Sequence, residues 1–119
     1  MFDFEKLTVY NKAKAFNKKV NAFLTITKLD RTTNDQLRRA SFSIMLNIAE
    51  GSGRYTQADK RNFYIISRGS TFECVAIFDY LKDIEVINET QFQSFYNDLD
   101  ELSRMLFSMI KSLSADNKK

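Results

Sequence analysis

Residues 92 to 113 read FQSFYNDLDELSRMLFSMIKSL, and Phe92, Phe95, Leu99, Leu102, Leu106, Met109 and Leu113 recur in a strict 3-4-3-4 alternation. With about 3.6 residues per helical turn, that alternation holds every one of these side chains on a single stripe, the seam of a coiled-coil-like bundle. A seam of this kind needs other helices to pack on. The rest of the chain supplies three: Val9, Ala13, Phe16, Val20, Phe23 and Leu24 recur at three- and four-residue spacing in the first, and two further apolar-periodic segments lie between residues 35 and 85. The chain has no Pro and only three Gly, which favours long helices joined by short loops over the many tight turns of an all-β protein. The expected fold is all-α, an antiparallel up-and-down four-helix bundle in one domain spanning residues 1–119. Helices are expected at about residues 4–29, 35–50, 56–85 and 89–113, with a frayed tail at 114–119.

The joints carry recognisable signals. Thr33 followed by Gln36 matches a capping box at the start of the second helix. Gly51 and Gly53 stand where that helix should end, glycine being tolerant of the left-handed backbone common at helix C-termini. Thr56 and Asn88 are positioned to cap the third and fourth helices. On a wheel of about 100° per residue, Leu37, Ile44 and Ile48 share one face of the second helix and Phe42, Leu46 and Ala49 the opposite one. The third helix repeats this, with Phe63, Ile66, Cys74, Ile77 and Leu81 on one side and Ile65, Phe72 and Ala76 on the other. A bundle this small cannot bury both faces of two helices. The second faces, with Phe42, Leu46, Ile65 and Phe72 as contact residues, are therefore expected to meet other subunits of a homo-oligomer.

Composition excludes several classes of function. With one cysteine, Cys74, and no histidine, the chain has neither an internal disulfide nor the usual zinc constellations, and no metal or cofactor is expected. The absence of a histidine base, a lone cysteine at a core-facing position and carboxylates readable as surface charge argue against an enzyme. No apolar run approaches the ~18 residues of a membrane span, and no secretory core is recognisable at the N-terminus, so a soluble protein of the reducing cytoplasm is expected. Charge is unevenly spread. Residues 1–68 carry thirteen Lys and Arg against six Asp and Glu, a net +7, whereas residues 69–119 carry five against nine, a net −4. The basic half can meet phosphate backbones, can meet the acidic half of a neighbouring subunit, or can be a set of solvated helix faces.

Candidate nucleic-acid contacts are Lys12, Lys14, Lys18, Lys19, Arg38, Arg54, Arg61, Tyr64 and Arg68. Arg61, Tyr64 and Arg68 are spaced to share a helix face, where an aromatic ring between guanidiniums can stack on an unpaired base. Lys12 and Lys19 share one flank of the first helix, and Lys14 and Lys18 another. Arg39, Asn47 and Glu50, with Ser43, form a polar ribbon along the second helix, and Glu73 is a candidate buried partner for an arginine. These four, Arg39, Asn47, Glu50 and Glu73, read as a structural polar network that sets helix register. The turn Gly51-Ser52-Gly53-Arg54 lacks both the GK[ST] ending of a P-loop and the GxGxxG spacing of a dinucleotide fold, so it is read as a helix terminator. An anion beside Arg54 at the N-terminus led by Thr56 is a subsidiary expectation.

Three stretches together resemble a known family: Phe4 to Tyr10, with Phe4, Leu7, Val9 and Tyr10; the block QLRRASFSIMLNIAEGSGR at residues 36–54; and FYIISRGSTFE at residues 63–73. They resemble the four-helix-bundle proteins encoded in intervening sequences of bacterial 23S ribosomal RNA genes. The chain departs from the family pattern at Met45 and Leu46, where proline and serine are common, and loss of a proline there should leave the helix straighter. The resemblance implies a homopentameric ring built head to tail, and a role as a nucleic-acid binder or accessory factor. The expected function is thus non-enzymatic binding of RNA or other nucleic acid through basic helix faces. The alternative is a protein-interaction scaffold engaging a partner such as a reverse transcriptase, as the related accessory proteins of diversity-generating retroelements do.

Overall fold

The computed structural model describes residues 1–117, with side-chain surroundings for residues 1–114. Four helices make up almost all of it: α1 (Thr8–Ile26), α2 (Arg31–Ser52), α3 (Gln57–Asp83) and α4 (Glu89–Asn117). Their antiparallel order is visible in side-chain pairs whose numbers rise along one helix as they fall along the next. Lys12 meets Glu101 while Lys19 meets Asp98, and Arg61 meets Ser114 while Arg68 meets Ser103. Each helix packs on two neighbours, closing an all-α bundle of 49 × 27 × 22 Å.

The stripe expected on α4 is the spine of the core. Phe92, Phe95, Leu99, Leu102 and Leu106 are buried, and Met109 and Leu113 pack at its margin. Val9, Ala13, Phe16, Val20 and Phe23 of α1 face it, with Leu37, Ile44 and Ile48 of α2 and Cys74 and Leu81 of α3 completing the interior. Phe78, a residue outside the expected α3 face, is the keystone. Its ring stacks on Phe95 with centroids 4.0 Å apart and meets Phe23 at 5.9 Å, so one side chain ties α1, α3 and α4. Ile66, expected in the core, is instead 50% exposed, because the α3–α2 contact is made by small side chains. Ser67 Oγ donates to the Ile44 carbonyl at 2.8 Å and Ser43 meets Ser70 at 2.8 Å, drawing that flank of α3 close and turning Ile66 outward.

Boundaries differ from expectation where side-chain caps decide them. Asp30, not Thr33, caps α2: its carboxylate accepts from the Thr33 N–H at 2.9 Å and from the Thr33 hydroxyl at 2.7 Å, which places Thr33 inside the helix. Residues 4–7 do not belong to α1. A short 3-10 turn at Asp3–Lys6 is followed by an extended Leu7, and Phe4 packs on Tyr10 at 4.7 Å. Thr56 accepts from the Asp59 N–H at 3.1 Å, and Asn88 and Gln91 cap each other reciprocally at 2.8 and 3.0 Å. The segment at 114–117 is helical rather than frayed; Lys118 and Lys119 lie outside the described residues.

Neither glycine of the α2–α3 joint adopts the left-handed backbone expected of it. Gly51 lies within α2, and Gly53 follows it with φ −91°. Gly51 is there for contact: a Cβ at this position would stand 2.8 Å from Tyr64 Cε1 and 2.9 Å from Phe63 Cβ. The left-handed residue among those described is Glu85, φ 64°, at the end of α3. Its N–H donates to the Lys82 carbonyl and that of Val86 to the Leu81 carbonyl, the paired bonds of a Schellman cap.

Candidate nucleic-acid interface

Seven of the nine expected nucleic-acid residues fall into three structural groups, and Arg38 and Arg54 stand apart from them. Lys12 and Lys19, on the flank of α1 that meets α4, are held by acids of α4. Lys12 Nζ lies 3.1 Å from Glu101 Oε1, and Lys19 Nζ lies 2.8 Å from Asp98 Oδ2 while donating to Ser94 Oγ at 2.6 Å. The Lys19 ammonium also stands 4.9 Å from the Phe95 ring centroid. These two lysines bridge α1 to α4, so a phosphate would meet them already paired.

Arg61, Tyr64 and Arg68 form the second group, and here the expected stacking ladder is absent. Tyr64 is only 5% exposed, its ring against Gly51 and its hydroxyl pKa raised by burial, so no base can reach it. Arg61 and Arg68 are half-buried and reach across the α3–α4 contact. Arg68 Nε donates to the Ser103 carbonyl at 3.4 Å and its guanidinium covers Phe72 and Phe107 at 4.7 and 5.4 Å. Arg61 Nη1 reaches Ser114 Oγ at 3.4 Å, while its Nε is buried without a hydrogen-bond partner among the described residues. Arg38 turns back on its own helix, and Arg54, in the α2–α3 joint, turns back on α2. Arg54 pairs with Glu50 at 3.5 Å and lies 4.5 Å over Phe63, and Arg38 pairs with Asp35 at 3.5 Å. With Asp59 in the first turn of α3 and Thr56 occupied as its cap, the expected anion position beside Arg54 is filled by the chain's own groups.

The third group is Lys14 and Lys18, on the outward side of α1. Both are exposed and neither makes an ion pair with a described residue. The whole of α1 contains no Asp or Glu, so no carboxylate on that helix neutralises them. Lys14 rests 5.8 Å from the Tyr10 ring, leaving its ammonium in solvent. Beside this strip, between α1 and α2, lies a shallow groove formed by Asn17, Asn21, Arg38, Arg39 and Phe42. Asn17 accepts from Ser41 Oγ at 3.0 Å, which anchors the groove floor to the α1–α2 contact.

The expected structural network is only partly closed. Asn47 donates to the Ser43 carbonyl at 2.8 Å and to its hydroxyl at 2.9 Å, and Glu50 pairs with Arg54. Arg39 and Glu73, however, are exposed and make no ion pair or side-chain hydrogen bond with a described residue, so Glu73 is not the buried partner expected. Cys74 is a core thiol, its pKa pushed up to about 12 by burial and by the neighbouring Glu73, and is unreactive in the folded chain. Among the described residues no group of three His, Cys, Asp or Glu is placed to hold a metal ion, and no helix is long and apolar enough to cross a membrane.

Sequence reasoning missed the α3–α4 groove. Its walls are Phe72, Val75, Ala76 and Tyr96, with Asp79 and Asp100 at its rim and a volume of about 400 Å³. The signal was present in the half-exposed Phe72 and Tyr96, but their convergence depends on how α3 and α4 pair.

The described residues form a closed antiparallel four-helix bundle, with Lys14 and Lys18 exposed on α1 and unpaired by any described carboxylate. The family model described as 23S rRNA-intervening sequence protein matches residues 5–108, and the chain belongs to that family. It is similar to a crystal structure of a protein of unknown function from the S23 ribosomal protein family of Bacteroides thetaiotaomicron. The two share 27% identity with a TM-score of 0.82, over 87% of this chain and 99% of that one. No curated protein matches the chain.

Proposed function

We propose that this chain is a non-enzymatic, homo-oligomeric protein of a reducing cytoplasm that binds RNA or another nucleic acid through the outward face of α1. The observation that carries it is the division of the α1 lysines. Lys12 and Lys19 are consumed by α4 carboxylates, whereas Lys14 and Lys18 point outward on a helix that has no acid of its own. An unneutralised strip of this kind attracts phosphate by counterion release and carries no base-specific code, so recognition would follow backbone shape. Oligomerisation, a homopentamer in the form the family resemblance implies, would repeat the strip around the assembly and multiply weak contacts into a tight one. The lone thiol buried in the core suits a reducing compartment.

Charge reversal at Lys14 and Lys18 tests it. Affinity for a structured RNA should fall and the salt slope should drop by about one for each lysine removed. Neutralising Lys12 and Lys19 instead should cost stability but leave the salt slope unchanged. Equal affinity in the Lys14→Glu, Lys18→Glu variant would sink the assignment. The α3–α4 groove favours a second reading, a scaffold for a protein partner such as a reverse transcriptase, because its apolar walls suit a partner's hydrophobic side chain better than a phosphate. Binding to that partner would survive high salt.

A further inference from the structure

The outer face of α3 is apolar without an intramolecular reason. Ile65, Ile66, Phe72 and Tyr80 are each about half exposed there, more contiguous apolar surface than isolated exposed residues present. In its midst stands Gly69, in the middle of a long helix and with a backbone that any residue could adopt. A Cβ added to Gly69 would meet nothing within 4 Å. Glycine in a helix interior destabilises it relative to alanine, and nothing inside the subunit uses the missing methyl. A glycine among large apolar side chains leaves a notch into which another helix can settle.

The complementary surface is on α2. Phe42 and Leu46 project from it one turn apart, both 46% exposed, with Arg39 one turn above Phe42. Axial levels follow from the pair Ser43 and Ser70, which touch at 2.8 Å across the α2–α3 contact. At about 1.5 Å rise per residue in antiparallel helices, Phe42 and Leu46 lie at levels on either side of Gly69. Arg39 lies at the level of Glu73. Subunits related by rotation about an axis along the bundle share their levels, so the α2 of one copy meets the α3 of the next without sliding. Arg39 and Glu73, each lacking an ion pair with a described residue, are of opposite sign and at matching height on the two surfaces.

We propose that the outer face of α3 receives α2 of a second copy of this chain, with Phe42 and Leu46 straddling Gly69 and Arg39 paired to Glu73 of the neighbouring copy. The proposal rests on the homo-oligomer put forward above and names its two surfaces. Because those surfaces differ, the contact is head to tail, and it uses neither Lys14 nor Lys18.

The test is the mass of the full chain by light scattering at micromolar concentration, for the wild type and five variants. The wild type should exceed the 13.9 kDa of one chain. Gly69→Gln, which fills the notch with a better helix former, should lower the mass toward one chain while helicity by circular dichroism is kept. Arg39→Glu and Glu73→Arg should each weaken assembly about tenfold or more, and the double swap should recover most of that loss. Wild-type mass in Gly69→Gln, or a double swap no better than the worse single variant, would overturn the interface while leaving the oligomer standing. A monomeric wild type would overturn both. Loss of RNA affinity in Phe42→Ala with unchanged mass would show that this ring serves a nucleic acid instead, and would likewise overturn the proposal.

Discussion

Replacing Gly51 by alanine should destabilise this protein, against the usual sign for a glycine in a helix. Helix propensity favours alanine by about 1 kcal/mol, and the backbone at Gly51 has no positive φ to forbid it. Opposing that gain is space. The new methyl would stand 2.8 Å from Tyr64 Cε1, 3.1 Å from Tyr64 Cδ1 and 2.9 Å from Phe63 Cβ. The Phe63 Cβ is anchored to the α3 backbone, and the Tyr64 ring is buried, so neither can swing away as the tip of a surface side chain would. Relief requires α2 and α3 to part near their shared turn, where Lys60 Nζ also holds the Ser52 carbonyl at 2.8 Å. Overpacking of this kind costs typically about 1–3 kcal/mol. Where the larger values apply, a net loss of about 1–2 kcal/mol is left after the propensity gain, lowering Tm by roughly 4–10 °C in a chain of this size. Urea unfolding followed by circular dichroism, at matched protein concentration, measures it. A Gly51→Ala variant as stable as the wild type, or more so, would refute the claim that this glycine is selected by contact with Tyr64 and Phe63.

Other perturbations have definite signs. Glu85→Gly relieves a left-handed conformation at φ 64° and should raise stability by about 0.5–1 kcal/mol in the same unfolding assay, the gain being trimmed by glycine's freedom in the unfolded chain. Phe78→Ala removes the ring that joins α1, α3 and α4 and should cost about 3–5 kcal/mol, the largest single loss expected among core phenylalanines. Asp30 has its carboxyl held below the ordinary range by the Thr33 backbone N–H and hydroxyl. Its folded pKa is depressed, so its contribution is present above the ordinary aspartate value and lost as pH falls through the lowered one. The Tm difference between wild type and Asp30→Ala should therefore be steady near neutrality and narrow below about pH 4; a constant gap down to the lowest pH would contradict the cap.

Where one element's periodicity suffices, the fold is legible in the chain. The α4 stripe from Phe92 to Leu106 is buried as its spacing demands, and so is the α1 stripe from Val9 to Phe23. Legibility fails where the outcome depends on which neighbour a face meets. Tyr64 lies between two arginines in the sequence and reads as surface, yet it faces α2, where Gly51 opens room for its ring. Ile66 reads as core, yet close serine contacts turn it outward. Lys12 and Lys14 are indistinguishable by type. Only the placement of Glu101 across the α1–α4 contact makes one a clasp and leaves the other free. The start of α2 is ambiguous in the chain for a related reason: Asp30 and Thr33 are both good caps, and Asp30 can engage the Thr33 N–H and hydroxyl together.

Binding of the purified wild-type chain to single- and double-stranded RNA and DNA across a salt titration tests the central claim most directly. The basic strip of α1 predicts binding at low salt that weakens steeply, with a linear dependence of log affinity on log salt concentration. No binding at low salt, or binding indifferent to salt, would contradict it and leave the charge asymmetry of the chain to subunit assembly and protein partners.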